Sequence, residues 1–123
     1  MSAITTHVLD TARGRPAAGV PIILEIEIDS ESDAGGGGAT IWQEIGRGQT
    51  DADGRLRTLH PADQRPAVGT YRLVFDTGSY FAATEAAGFY PTVEVIFLID
   101  DPAQHYHVPL LLSPYGYSTY RGS

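Results

Sequence analysis

Alternation of apolar and polar residues with a period of two is the feature that most limits how this sequence can fold. From residue 24 onward, Leu24, Ile26 and Ile28 share one face of an extended chain, and three acidic residues share the other. Because successive side chains of a strand point to opposite faces, this pattern is typical of a strand buried on one side only. Similar alternation recurs later in the chain, so the sequence predicts a protein built mainly of strands.

Turn-forming residues divide the chain into short strands. We expect strands at 5–10, 22–29, from 41 onward, and at 55–59, 70–77, 93–99, 104–113 and 115–120. Residues 79–87 have the only helix-like composition, and Gly88 is placed to end that helix. Seven or eight strands with one short helix predict an all-β fold, a two-sheet antiparallel β-sandwich. The small, polar residues 30–39 fit a flexible hairpin connection better than a mobile lid.

Composition narrows the functional classes. With 123 residues, and neither a repeat nor a linker, we expect one domain spanning 1–123. A net charge of −7 disfavours nucleic-acid and anionic-membrane partners, which need clustered Lys and Arg. No apolar run approaches the ~18 residues of a membrane span, and no secretory signal is evident at the start. The absence of cysteine excludes disulfides, thiolate nucleophiles and cysteine-bound zinc, and suits the reducing cytoplasm.

Strand parity places several histidines on outer faces of the sandwich. Within 104–113 the core-facing residues are Tyr106, Val108, Leu110 and Leu112, which turns His105, His107, Pro109, Leu111 and Ser113 outward. In the first strand, Ile4, Thr6 and Val8 share the core face. His7 and Leu9 therefore point outward.

Each of these residues can be interpreted either as an ordinary surface residue or as a functional one. An outward His7 on its own fits a solvated surface. His105 and His107 lie ~7 Å apart on one strand face, a spacing that suits two metal ligands, but no third ligand is evident and we expect no metal. Arg55, after a turn, fits either solvent or a planar, electron-rich substrate. Parity alone indicates a β-sandwich with an unusual outer face, and no reaction.

Several motifs along the whole chain carry a family resemblance. The most specific are His105-Tyr106-His107-Val108-Pro109-Leu110 and the C-terminal Tyr120-Arg121-Gly122-Ser123. Others are His7-Val8-Leu9-Asp10, Thr50-Asp51-Ala52-Asp53-Gly54-Arg55 and Phe75-Asp76-Thr77-Gly78-Ser79-Tyr80. Together they resemble the 5-hydroxyisourate hydrolases of the transthyretin-like family, and the C-terminal tetrapeptide and the histidine pattern resemble this hydrolase branch rather than the hormone carriers. The glycines at 35–38 make that hairpin longer than is usual in the family.

The resemblance implies a specific chemistry and assembly. The family's enzymes hydrolyse the lactam ring of 5-hydroxyisourate in urate breakdown, without a cofactor, as homotetramers (dimers of dimers) with active sites where dimers meet. The implied catalytic positions are His7, Arg55, His107 and Ser123; His7, Arg55 and Tyr120 would bind substrate, and His105 and Arg121 would support them. The alternative is a transthyretin-like carrier of a small aromatic ligand.

Overall fold

The structure is a computed structural model that describes residues 3–28 and 40–122. These ranges contain nine strands and one helix. They are β1 (Ile4–Asp10), β2 (Arg15–Pro16), β3 (Pro21–Ile28), β4 (Ile41–Gln49), β5 (Arg55–Leu56), β6 (Gly69–Phe75), α1 (Thr77–Ala83), β7 (Val93–Ile99), β8 (Tyr106–Ser113) and β9 (Gly116–Thr119). Within them, no helix is long and apolar enough to cross a membrane.

Two sheets form the predicted β-sandwich. One has the strand order β2-β1-β8-β9, with β5 also paired to β1, and the other has the order β4-β3-β6-β7. The pairing is antiparallel with one exception: β1 and β8 run parallel, from Ile4 beside Tyr106 to Asp10 beside Leu112. The fold is the expected two-sheet antiparallel β-sandwich, in which the two central strands of the first sheet run parallel.

The core between the sheets contains the residues that alternation assigned to it. Tyr71, Leu73 and Phe75 of β6 are buried, as are four alternate residues of β8, namely Tyr106, Val108, Leu110 and Leu112. In β3 the burial fades along the strand, from Leu24 at 0% exposure to Ile28 at 39%. The core face of β3 thus reaches the end of the sandwich at Ile28.

Helix α1 differs from its predicted span of 79–87. It begins earlier because the Asp76 side chain accepts a hydrogen bond from the Ser79 backbone, which caps the first turn. It ends at Ala83 because Glu85 adopts a left-handed conformation (φ 57°), with Ala86 N–H donating to the Phe81 carbonyl. Gly88 does not end the helix. It lies so close to Phe81 that a Cβ would come within 2.3 Å of that ring.

Strand bounds differ elsewhere by smaller amounts. β7 has its predicted bounds, but β5 covers only Arg55–Leu56 of the expected 55–59, and β8 begins at Tyr106 so that His105 precedes it. β2 was not predicted, because a two-residue strand has no periodicity to detect. The predicted 30–39 connection lies outside the described residues.

Candidate active site

Sheet pairing brings the predicted site residues from three distant segments onto one face. In β1, His7 pairs with Arg55 of β5 on one side and with Pro109 of β8 on the other. Thr5 pairs with His107 in the same parallel ladder. Because the core face of β1 is filled by Ile4, Thr6 and Val8, the side chains of Thr5 and His7 face outward together.

His7 is held by the turn that precedes β5. Its Nε2 lies 2.8 Å from the Asp53 carbonyl oxygen. A carbonyl can only accept, so Nε2 bears the hydrogen and the neutral ring has its lone pair on Nδ1. The turn is fixed by Gly54, whose φ of 76° favours glycine and whose carbonyl accepts from the Val8 backbone N–H at 2.7 Å.

Arg55 contributes a positive charge that forms no salt bridge among the described residues. Its backbone N–H donates to the Asp51 carboxylate at 3.0 Å, which orients the start of β5. The three salt bridges found in the described ranges join Arg47 to Glu44 and Arg72 to Glu25 and Glu94, so none involves Arg55. A guanidinium without a carboxylate partner can bind an electron-rich ligand with its forked donors.

His105 and His107 share one hydroxyl group. Thr5 Oγ1 lies 2.8 Å from His107 Nδ1 and 2.9 Å from His105 Nε2. The two rings stack with centroids 6.5 Å apart. In the part of the chain that the structure describes, no group of three His, Cys, Asp or Glu side chains could hold a metal ion.

Burial lowers the pKa of His107 below its ordinary value. The nearby charge of Arg55 lowers this pKa further, as do His105 and His7, and a backbone hydrogen bond with Thr5 partly offsets them. Each lowering effect disfavours the imidazolium, because a cation loses solvation on burial and is repelled by like charge. His107 therefore stays neutral, and able to accept a proton, to a lower pH than an ordinary histidine.

The C-terminal segment crosses the end of β8 beside His107. Gly122 N–H donates to the His107 carbonyl at 2.8 Å, and a Cβ on Gly122 would come within 2.6 Å of His107 Cδ2. Only glycine lets the tail pass so close to the imidazole. The same crossing covers Pro109, which parity placed on the outer face but which is buried.

The remaining predicted residues have more varied positions. Tyr120 is 55% exposed and lines a groove of about 320 Å³ with Ile96 and Leu98 of β7. Arg121 places its guanidinium 4.5 Å from the centre of the Tyr106 ring and donates to the Gln104 side chain. Ser123 lies outside the described residues.

The sequence analysis did not predict two contacts that position the histidines, those of the Thr5 hydroxyl and of the Asp53 carbonyl. The strand alternation that turned His7 outward also turns Thr5 outward, so parity could have identified that hydroxyl. The contact of the Asp53 carbonyl with His7 has no such signal, because every residue has a carbonyl and only the fold selects this one.

Comparison with known proteins places the chain in a family. A family model described as the HIUase/Transthyretin family matches residues 4–122. The chain belongs to the HIUase/Transthyretin family. The predicted recognition is thereby confirmed.

Within the HIUase/Transthyretin family, the relatives include both enzymes and carriers. A 5-hydroxyisourate hydrolase from Caulobacter vibrioides is 46% identical over the full length of both chains. The structure of Klebsiella pneumoniae 5-hydroxyisourate hydrolase matches at 32% identity with a TM-score of 0.76, covering 98% of this chain and 92% of that one. Sea bream transthyretin in complex with thyroxine matches at 33% identity with a TM-score of 0.80, covering 98% and 94%. The backbone therefore does not separate the two branches, and side chains must do so.

Proposed function

We propose that this chain is a single-domain 5-hydroxyisourate hydrolase. The observation that supports this most directly is the meeting of His7, Arg55 and His107 on one sheet face, in a chain 46% identical to a protein of that name. Two imidazoles and a guanidinium supply the groups that hydrolysis of an amide needs: a base for water and a positive charge for the carbonyl oxygen.

Water activation is the task of the two histidines. The attacking water must lose a proton as its oxygen bonds to the lactam carbonyl carbon. The neutral His7 presents its lone pair at Nδ1, because Nε2–H is occupied by the Asp53 carbonyl. The lowered pKa of His107 keeps this second base neutral at physiological pH. The imidazolium that forms can then donate this proton to the lactam nitrogen of the substrate as the C–N bond breaks.

Arg55 and the tail complete the proposed site. As the carbonyl becomes tetrahedral its oxygen gains negative charge, which the Arg55 guanidinium stabilises. In this proposal Tyr120 binds the substrate ring and Ser123 closes the pocket. His105 and Arg121 do not contact substrate and instead hold the residues that do. No cofactor or metal takes part in this scheme.

The assembly we propose is a homotetramer, a dimer of dimers. Its support is the distribution of exposed apolar side chains. Ile96, Leu98 and Tyr120, all at least 55% exposed, lie along the side where β7 and β9 form the edges of the two sheets. The outer face near His7 also has half-buried Leu9 and Leu111. A monomer seldom exposes such surfaces, and a second dimer over the His7 face would exclude water from the site.

We place this enzyme in the cytoplasm, where a chain without cysteine has no need of oxidation.

The alternative is a carrier of a small aromatic ligand. It is favoured by one observation, the fold similarity to sea bream transthyretin in complex with thyroxine. The positive charge of Arg55 beside a histidine of lowered pKa is more useful for hydrolysis than for holding a flat apolar ligand. Tight binding of an aromatic ligand without faster decay of hydroxyisourate would favour the carrier.

The direct test is to generate hydroxyisourate from urate in situ and follow its ultraviolet decay with and without the protein. We expect the protein to accelerate the decay. His7→Ala should lower kcat/KM by ~10²–10⁴-fold, the usual contribution of a positioned general base. Arg55→Ala should lower kcat/KM by ~10²–10³-fold, as for other groups that stabilise an oxyanion.

Arg47→Ala is the matched control, because Arg47 forms a surface ion pair with Glu44 on the other sheet. It should retain the parent rate, and all variants should keep the parent's oligomeric state. An inactive parent protein would overturn the proposed function. His7→Ala at the parent rate would overturn only the role assigned to His7.

A further inference from the structure

The hydroxyl of Thr5 occupies a position that the proposed mechanism does not yet use. Thr5 is only 6% exposed, and its Oγ1 lies between His107 Nδ1 at 2.8 Å and His105 Nε2 at 2.9 Å. The parallel register sets Thr5 directly beside His107. This geometry comes from backbone pairing, so the three groups are held together before any substrate binds.

Counting hydrogens limits how the three groups can be arranged. A threonine hydroxyl has one hydrogen to donate and lone pairs with which to accept. It can therefore donate to only one of the two imidazoles, and must accept from an N–H of the other. The two rings consequently differ at the shared oxygen. One presents a lone pair to it, and the other presents a hydrogen.

The surroundings decide which ring presents the hydrogen. The Cδ2 edge of His107, next to Nε2, borders the C-terminal segment at Gly122, where the proposed substrate pocket closes. For His107 to act as a base there, its lone pair must be on Nε2, and its hydrogen on Nδ1 must donate to Thr5. Thr5 then donates to Nε2 of the exposed ring of His105.

We propose that Thr5 is a positioning residue that fixes the tautomer of His107 and connects this base to His105. The proposal rests on the hydrolase function proposed above. Hydrolysis of an amide to a carboxylate releases one proton at neutral pH, because a carboxyl group with an ordinary pKa is ionised there. Nε2 of His107 takes one proton of the attacking water and gives it to the leaving lactam nitrogen, while Nδ1–H stays on Thr5 Oγ1 and the Thr5 hydrogen stays on His105 Nε2. The proton released overall comes from the new carboxyl group, and His107 keeps the same tautomer for the next turnover.

Several charged and titratable groups surround His107 and must be kept constant in any test. His7 reaches it from β1, Arg55 from β5, and His105 from the segment before β8. Arg121 belongs to the tail, but its guanidinium lies over Tyr106 and binds Gln104. Changing Thr5 alters none of these charges.

The test compares Thr5→Val, which keeps the shape and removes the hydroxyl, with Thr5→Ser, which keeps the hydroxyl. The control is Thr6→Val, the neighbouring buried threonine whose hydroxyl donates to the Val108 carbonyl on the core side. Nitrogen-15 NMR of the imidazole rings reports which nitrogen of His107 bears the hydrogen, without any substrate. Kinetics with hydroxyisourate separate kcat from KM.

We expect Thr5→Val to lose the fixed His107 tautomer and to lower kcat by ~10–100-fold, the scale seen when a group that orients a metal-bound histidine is removed. KM should change little, because Thr5 does not contact substrate. Thr5→Ser should restore both the tautomer and kcat, and Thr6→Val should change neither. If Thr5→Val does not fold, His105→Gln provides the same test of the connection, with a lower kcat and an intact tautomer.

Two results would overturn the proposal. One is a His107 tautomer and kcat in Thr5→Val equal to those of the parent protein. The other is a parent protein with its hydrogen on Nε2 of His107. An inactive parent protein in which Thr5→Val still switches the tautomer would instead overturn the hydrolase function and leave the positioning of His107 by Thr5 intact.

Discussion

At the scale of residues, His107 shows how position sets proton affinity. Burial removes water from its ring, Arg55 places a positive charge nearby, and the neighbouring His105 and His7 also disfavour an added proton, so the pKa of His107 falls. A histidine in solution has a pKa of ~6.5 and is partly protonated near neutrality. In this position the neutral form persists further into acid.

We therefore expect the fall of kcat/KM that comes from protonation of His107 to lie at a pH below ~6.5. The unfolded chain binds this proton more readily than the folded one. His107 thus contributes stability at neutral and alkaline pH that is lost as pH falls below the ordinary histidine range. The measurement is a pH profile of kcat/KM, together with an NMR titration of His107. Arg55→Gln should raise the pKa of His107 in that titration. A His107 pKa above the ordinary value would contradict the expectation.

Single residues of the site were predictable where they follow from local alternation. The outward directions of His7 and His107 follow from strand parity, which needs only neighbouring residues. The contact of Thr5 with His107 joins positions 102 residues apart, and depends on a parallel register that no local pattern encodes. Pro109 lies on the outer face as parity predicted, but its burial was not predictable, because cover by a segment from elsewhere in the chain is not a property of its own strand.

At the scale of elements, a buried carboxylate ties helix α1 to β1. Asp10 is 2% exposed, and its two oxygens accept hydrogen bonds from the Tyr80 hydroxyl at 2.6 Å and the Arg13 backbone at 3.0 Å. Burial and the neighbouring Asp10 raise the pKa of Tyr80, which keeps its hydroxyl protonated as a donor. The contact fixes the helix against the end of the strand that bears His7.

Tyr80→Phe should lower the free energy of unfolding by ~1–3 kcal/mol, since it leaves a buried carboxylate oxygen without its donor. Urea denaturation measures the change. Tyr71→Phe is the matched control: it removes a hydroxyl that donates to the Ala67 carbonyl, a neutral acceptor, and should cost ~1 kcal/mol. Equal stability of Tyr80→Phe and the parent would show that Asp10 does not need this partner.

Elements with clear periodicity were predicted almost to the residue, as β7 was. Errors arose where no periodicity exists. Helix α1 has seven residues and two caps, and its span depends on Asp76 and on the left-handed Glu85 rather than on a repeating pattern. The parallel direction of β8 beside β1 was not predicted, because alternation identifies a strand but says nothing of its direction.

At the scale of the whole molecule, the side where β7 and β9 meet solvent favours association. Edge strands present unpaired backbone groups, and here they stand beside the exposed side chains of Ile96 and Leu98. We expect sedimentation at the mass of a tetramer. Leu98→Asp, which puts a charge on this surface, should shift the protein to smaller species and lower its activity.

Val68→Asp is the control for that variant. Val68 is also highly exposed, at 64%, but it precedes β6 and lies apart from the β7 and β9 edges. It should sediment as the parent does. A parent protein that sediments as a monomer at the concentration of the activity assay would contradict the proposed assembly.

The parallel pairing of β1 with β8 also has a consequence for biosynthesis. Ribosomes make proteins from the N-terminus, so β1 emerges first, whereas its central neighbour begins only at Tyr106. Until then this edge of the nascent strand has no partner, and pairings so distant in sequence form slowly. The imidazoles of β1 and β8 meet only after β8 has been translated. A product that terminates before β8 should therefore lack the assembled site and be inactive.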